Sequence, residues 1–154
     1  MNLLIRSAAV FLAISGGFAS LRAQSIPPLV GQWNIQFQVG TETEGGETTP
    51  IMEKAALTIM QAGDTLTATL VRSPRPDGTI PPPRIMEGRL DHDSVVFTHP
   101  GQATITTHLE ARTIQVKVIW TLQVKGDSLT GSRQLEGMPV NEGPTPVKGT
   151  RSKA

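Results

Sequence analysis

Strict alternation of apolar and polar residues marks the segment from Trp33 to Val39. Apolar residues occupy every second position, with asparagine or glutamine between them. Successive side chains of a β-strand point to opposite faces, so this alternation predicts a strand with one buried face. That face carries Trp33, Ile35, Phe37 and Val39.

A similar alternation occurs twice around a Gly-Asp pair. Residues 57–70 alternate on both sides of Gly63-Asp64, and residues 122–132 do so around Gly126-Asp127. Glycine readily adopts the positive φ of a two-residue turn, and aspartate is common in turns. Both segments therefore predict β-hairpins.

The remaining alternation predicts further strands along the rest of the chain. We place these strands, with those of the first hairpin, at residues 55–60, 65–71, 85–90, 95–98, 103–109, 114–124, 129–135 and 147–151. Two breaks separate strands. Residues 40–50, rich in Glu, Thr and Gly, predict an acidic loop. Residues 72–84 are rich in proline, which cannot donate to a β-ladder, and predict a loop with polyproline character.

The fold class that follows is all-β. No segment after the N-terminus shows a convincing helical period. About eight strands joined mostly by short turns favour an antiparallel up-and-down barrel, because closing the sheet removes its exposed edges. A two-sheet β-sandwich is the alternative, since periodicity does not show whether the first and last strands pair.

The N-terminal segment has the pattern of a secretory signal peptide. Arg6 precedes an apolar run over residues 7–18, which is too short to span a bilayer, and small residues follow. Cleavage is expected after Ala19 or Ala23. We therefore predict a signal peptide over residues 1–23, a single domain over 24–154, and a secreted or periplasmic protein without an integral membrane segment.

Charge and cysteine content narrow the functional classes. The full chain has a net charge of +1, and without Arg6 and Arg22 it has 12 Lys+Arg against 13 acids, a net charge of −1. Such a balance gives no electrostatic basis for binding nucleic acid. The chain has no cysteine, which excludes disulfides, thiolate metal sites and a cysteine nucleophile.

A Gly-x-Trp motif, Gly31-Gln32-Trp33, opens the first predicted strand, and Gly-Asp-x-Leu-Thr occurs in both hairpins. An all-β secreted chain with these motifs resembles the small lipocalin-like (calycin) domains of bacterial proteins. The resemblance implies a barrel with Trp33 packed across its floor, often against an arginine of the last strand. Arg151 or Arg133 could supply that arginine by position.

No catalytic or metal-binding motif stands out. The histidines are His92, His99 and His108, and Asp91-His92-Asp93 lies where a hairpin needs a turn. No serine has the Gly-x-Ser-x-Gly context of a nucleophile. We therefore expect no enzymatic activity, no metal site and no cofactor.

The inward residues favour a ligand-binding barrel. Several are small (Ala55, Ala68, Gly88, Ala103, Thr107 and Gly131), so either a cavity or a flattened barrel is expected. Counting by twos from Leu129 places Arg133 inward, where an unpaired guanidinium needs an acid, an aromatic ring or an anionic ligand. The expected ligand is a small apolar or amphipathic molecule, with Arg133 as its polar anchor. Its predicted lining is Trp33, Ile35, Phe37, Leu57, Leu66, Phe97, Val118, Trp120 and Arg133.

The second hypothesis is a barrel without a pocket. It would serve as an envelope or extracellular accessory module that contacts a protein partner through its loops, above all residues 72–84. That loop places Arg72, Arg75 and Arg84 around its prolines.

Overall fold

Eight antiparallel strands form a closed barrel in the computed structural model, which describes residues 28–106, 110–140 and 142–153. No helix occurs among these residues. The strands are β1 (Gly31–Glu44), β2 (Glu47–Ala62), β3 (Thr65–Arg72), β4 (Arg84–Asp91), β5 (Ser94–Thr106), β6 (Ala111–Lys125), β7 (Ser128–Glu136) and β8 (Thr145–Arg151).

The predicted up-and-down barrel is confirmed. Each strand pairs with the next one along the chain, and β1 also pairs with β8 from Trp33↔Arg151 to Phe37↔Val147. This closure excludes the two-sheet sandwich. The predicted signal peptide (1–23) and residues 107–109, which end a predicted strand and include His108, lie outside the described residues.

Both predicted Gly-Asp hairpins are present. Gly63-Asp64 joins β2 to β3, and Gly126-Asp127 joins β6 to β7. The two glycines have φ values of 61° and 62°, a backbone region that residues with a Cβ adopt at a steric cost. The proline-rich connection between β3 and β4 is also a loop, as predicted.

The predicted acidic loop over residues 40–50 is wrong. β1 continues to Glu44 and β2 begins at Glu47, so a two-residue Gly45-Gly46 turn joins two long strands. Beyond Phe37 neither strand has another neighbour on this side, and the pair projects from the barrel as an exposed ribbon. Because both of its faces meet water, the ribbon has no apolar alternation by which a strand could be recognised.

The first strand also bends where strict alternation predicted no irregularity. The register between β1 and β2 shifts between Gln38 and Gly40, which places a bulge at Val39. Val39 is therefore 39% exposed and does not share the buried face of Trp33, Ile35 and Phe37, contrary to the prediction.

Strand β5 is continuous, whereas the sequence predicted separate strands over 95–98 and 103–109. The Pro100-Gly101 pair resembles a strand break. The last residue of β5 paired with β4 is Thr98, so the edge beyond it is free. The Pro100 carbonyl oxygen accepts a hydrogen bond from Arg84 Nη1 on that free edge, at 3.1 Å. A strand residue directs its N–H and C=O to the same side, so no ladder partner is lost at Pro100.

One end of the barrel is sealed around Trp33. The indole Nε1 of Trp33 donates to the Leu29 carbonyl oxygen at 2.8 Å. The Arg151 guanidinium lies over the indole, 4.3 Å from the ring centroid, and donates to the Pro28 and Val30 carbonyl oxygens. The resemblance implied a Trp–Arg contact of this kind, and Arg151, not Arg133, supplies it. We call this the closed end, and the opposite end the mouth.

Small inward residues bring neighbouring groups close together and do not leave an empty core. A Cβ at Gly88 would overlap the Phe97 ring, and a Cβ at Gly131 would overlap the Thr121 carbonyl oxygen. Ala68 is fully buried. At Gly88, Ala68 and Gly131 the structure therefore shows close packing and not the cavity that was one of the two expectations.

The packing at Gly88 can be tested with Gly88→Ala. The added methyl must displace the Phe97 ring inside the core, and overpacking of this kind costs about 1–3 kcal/mol of unfolding free energy. Gly40→Ala is the matched control, because its Cβ would meet only Ile51 Cδ1 at an ordinary 3.9 Å. Urea denaturation measures both variants. Equal stabilities would contradict the close packing at Gly88.

Candidate functional site at the barrel mouth

Five strands direct a polar side chain into the mouth. Four of these residues are two positions from a buried apolar residue on the same strand face, and Arg133 is four positions from the buried Leu129, so alternation turns all five inward. All five are partly buried. They are Glu53 on β2, Arg72 on β3, Arg84 on β4, His99 on β5 and Arg133 on β7.

Trp120 forms the floor beneath this polar layer. It is 2% exposed, and its ring meets the Phe37 ring edge to face, with centroids 4.9 Å apart and planes at 80°. Its indole Nε1 is buried and has no hydrogen-bond partner among the described residues. An indole N–H is a donor only, so Trp120 holds one buried donor without an acceptor.

Arg133 lies beside the same two rings. Its guanidinium carbon is 5.7 Å from the Trp120 ring centroid and 5.9 Å from that of Phe37. Nη1 donates to the Gln38 carbonyl oxygen over a long 3.4 Å. Arg133 forms no ion pair with a carboxylate in the described part of the chain. Aromatic stacking therefore orients the guanidinium and leaves most of its donors available.

The mouth has an excess of positive charge. Burial is the main cause that lowers the pKa of Arg133, nearby Arg72 lowers it further, and Glu53 raises it. Glu53 is the one carboxylate in the inward layer, and it pairs with Arg72 at 3.5 Å. Because one carboxylate faces three guanidiniums, an added anion would relieve charge repulsion here.

His99 holds a second buried polar atom without a partner. Its Nδ1 lies 2.7 Å from the Pro100 carbonyl oxygen, which can accept only if Nδ1 carries the proton. In the neutral ring Nε2 is then an acceptor, and this atom is buried with no partner among the described residues. Burial is the largest cause that lowers the pKa of His99. The Pro100 hydrogen bond raises it, and Arg84, Arg133 and Arg72 lower it. The mouth thus favours neutral His99.

The predicted ligand-lining residues divide between the two ends of the barrel. Phe37, Val118, Trp120 and Arg133 lie together at the mouth. Eight of the nine predicted lining residues, all but Arg133, belong to the buried core. The residues deeper in the barrel or at its closed end are Trp33, Ile35, Leu57, Leu66 and Phe97.

Sequence reasoning missed Glu53, Arg72, Arg84 and His99 as site residues. The two arginines were assigned to the ends of the proline-rich loop, and His99 was placed after the end of a strand. The available signal was their spacing, since each lies two positions from an inward apolar residue. The spacing was not used, because none of the predicted strands 55–60, 65–71, 85–90 and 95–98 extends to these four residues.

An open depression of about 460 Å³ lies against the wall formed by β5 and β6, and its lining includes the exposed residues Pro100, Lys117 and Glu136. Of the five mouth residues, it contains His99 alone. A second open depression, of about 480 Å³, lies on the outside of the wall near Gln36 and Lys148 and contains none of the five mouth residues.

The Asp91-His92-Asp93 segment has a local role. His92 has a φ of 54°, and its Nδ1 lies 2.8 Å from Asp91 Oδ1 in an exposed turn. No group of three or more histidine and acidic side chains that could hold a metal ion occurs in residues 28–106, 110–140 and 142–153.

The chain matches no protein-family model, no curated protein and no solved structure. Within the described ranges, no helix is long and apolar enough to cross a membrane.

The environment of His99 predicts a pH dependence of stability. Its folded-state pKa lies below the ordinary value of 6.5, so the unfolded chain takes up the proton more readily. The stability from neutral His99 is fully present above pH 6.5 and is lost as the pH falls through 6.5 toward the lower folded pKa. The melting temperature should therefore fall between pH 7.5 and 5.0, and fall less in His99→Asn.

His92→Asn is the matched control, because the His92 side chain is 95% exposed. This variant should keep the pH dependence of the parent protein. Melting curves followed by circular dichroism measure all three proteins. If His99→Asn and the parent lost the same stability, His99 would not be held neutral by the mouth.

Proposed function

We propose that this protein is a secreted, non-enzymatic β-barrel that binds a small amphipathic molecule at its mouth. The observation that supports this most strongly is the buried Nε1 of Trp120 without a partner. The polar group of the ligand would lie beside Trp120 and Arg133, and its apolar part would contact Phe37 and Val118.

A buried polar group without a hydrogen-bond partner raises the free energy of the unbound protein. A buried donor left unsatisfied costs about 1–3 kcal/mol relative to a paired one. An acceptor atom supplied by a ligand would recover that cost and would also pair with the charged Arg133. The same two residues therefore favour the bound state on separate grounds.

Binding the apolar part of the ligand requires a limited rearrangement of side chains at the mouth. Phe37 and Trp120 touch edge to face at the top of the core, and beyond Phe37 the wall continues as the β1–β2 ribbon. Rotation of one ring would admit a short chain between Phe37, Val118 and Trp120. The closed end need not move, because Trp33 is held there by both Leu29 and Arg151.

The compartment is part of the proposal and rests on the N-terminal sequence pattern. The apolar run over residues 7–18, with Arg6 before it, supports export. The Trp33–Arg151 contact at the closed end is consistent with the lipocalin-like resemblance. Barrels of about eight strands have room for packed side chains or one small ligand.

A second candidate function has its own supporting observation. Ile80 is 67% exposed, Ile85 is 71% exposed and Val71 is 41% exposed, all in or beside the loop between β3 and β4. Together with the well-packed core, this apolar surface favours the alternative of an accessory module that contacts a protein partner through residues 72–84.

Tryptophan fluorescence tests ligand binding directly, since the chain has two tryptophans at opposite ends of the barrel. Titration with octanoate should change the emission saturably. The change should persist in Trp33→Phe and disappear in Trp120→Phe. Arg133→Gln should weaken binding about tenfold or more, because hydrogen bonds to charged groups contribute about 1.5–3 kcal/mol.

Arg89→Gln is the charge-matched control, since Arg89 lies on the exposed face of β4. Circular dichroism confirms that each variant is folded. A flat response to octanoate, octyl phosphate and octanol alike would contradict the ligand-binding proposal and favour the accessory module.

A further inference from the structure

We infer that the mouth selects a doubly charged phosphate group, such as the headgroup of an alkyl phosphomonoester, over singly charged groups. This inference rests on the proposed function and names the class of its ligand. It follows from the number and placement of the charges that face inward at this end.

The inward layer contains three guanidiniums, from Arg72, Arg84 and Arg133, and one carboxylate, from Glu53. Arg84 Nη1 and His99 Nδ1 lie on the same Pro100 carbonyl oxygen, and the His99 and Arg133 side chains both lie beside the Trp120 ring. Together with the electrostatic effect of all three arginines on His99, these contacts place the guanidiniums in one region of the mouth. With His99 neutral the layer has a net charge of +2. A phosphomonoester carries a charge of about −1.5 to −2 at pH 7, which matches this excess.

The hydrogen bonds that Arg84 and Arg133 already form leave N–H donors available for a phosphate group. Arg84 donates from Nη1 to the Pro100 carbonyl oxygen at 3.1 Å, and Arg133 donates from Nη1 over 3.4 Å to Gln38. Each guanidinium has five N–H donors, so most remain available in the fork that binds phosphate oxygens.

Trp120 supplies an independent indication of a ligand at this place. Trp120 is 2% exposed, and its Nε1 donor has no partner in the described part of the chain. Trp120 is directly paired with Arg133 across β6 and β7. An oxygen atom held by Arg133 is therefore near an unused neutral donor.

Acidic residues on the β1–β2 ribbon do not cancel this charge. Glu42, Glu44 and Glu47 lie toward the tip of the ribbon, and the nearest of them along β1, Glu42, is five residues past Phe37. At a strand rise of about 3.3 Å per residue, Glu42 is roughly 16 Å from that level. Exposed charges so far apart are largely screened at physiological ionic strength.

Isothermal titration calorimetry at pH 7.5 tests the inference with four ligands of one chain length: octyl phosphate, octyl sulfate, octanoate and octanol. Sulfate has the tetrahedral shape of phosphate with a single charge, so it separates charge from shape. We expect octyl phosphate to bind about tenfold more tightly than octyl sulfate and octanoate, because the second charge meets a net positive layer. Inorganic phosphate, as a fifth ligand, distinguishes a free anion from a headgroup.

Single substitutions show which residues cause the preference for octyl phosphate. Arg84→Gln should remove most of the difference between octyl phosphate and octanoate, whereas Arg89→Gln, on the outside of the same strand, should leave it intact. Glu53→Gln should increase the difference, because it raises the net charge of the layer. Loss of affinity in Arg84→Gln with gain in Glu53→Gln excludes misfolding as the common cause.

The outcomes separate this inference from the proposed function. Equal affinities for octyl phosphate, octyl sulfate and octanoate would overturn the inference and leave ligand binding intact. Inorganic phosphate binding as tightly as octyl phosphate would support phosphate selection and contradict an amphipathic ligand. No binding of any of the five would overturn both.

Discussion

A polar group removed from water needs a hydrogen-bond partner, and the two tryptophans of this barrel differ in whether the described residues supply one. At the closed end the Trp33 indole donates to Leu29 and lies under Arg151, which is itself bonded to backbone carbonyl oxygens. At the mouth the Trp120 indole is as deeply buried, yet its donor has no partner among the described residues. The first arrangement is complete within the described residues, and the second leaves a donor that the proposed ligand would pair.

This difference separates the packed interior of the barrel from its polar mouth. The closed end and the middle are filled by large side chains that pack against glycine and alanine, as Phe97 does against Gly88. The inward layer at the mouth is polar on five strands. Above it the wall continues as two ribbons, one from β1 and β2 and the other from β5 and β6. The sealed core supplies stability, so the mouth can carry unpaired charge.

Alternation predicted most of the barrel, because a strand with one buried face has a period of two. It identified the face of Trp33 and Phe37 and both Gly-Asp hairpins. It failed where that physical condition does not hold. The ribbon around Gly45-Gly46 is exposed on both faces and therefore has no apolar period. Pro100 predicts a break in the strand, although it lies where β5 has a free edge and needs no ladder donor.

Prediction of the site was weaker, because it depends on which strands become neighbours. Counting by twos placed Arg133 inward, and the structure puts it beside Phe37 and Trp120. Counting by twos from Leu70 likewise places Arg72 on the inward face of β3. Its proximity to Arg84 and His99 depends on the pairing of three strands, β3 with β4 and β4 with β5, which local periodicity does not contain. The missing partner of Trp120 is likewise a property of the packed structure.

The most direct test of the central claim is the pair of indole N–H resonances in a ¹⁵N–¹H correlation spectrum. Trp33→Phe and Trp120→Phe assign the two signals. Saturation with octyl phosphate should move the Trp120 signal downfield, as a new hydrogen bond forms at Nε1, while the Trp33 signal stays in place. If octyl phosphate bound and the Trp120 signal did not move, the unpartnered indole would not be part of the binding site.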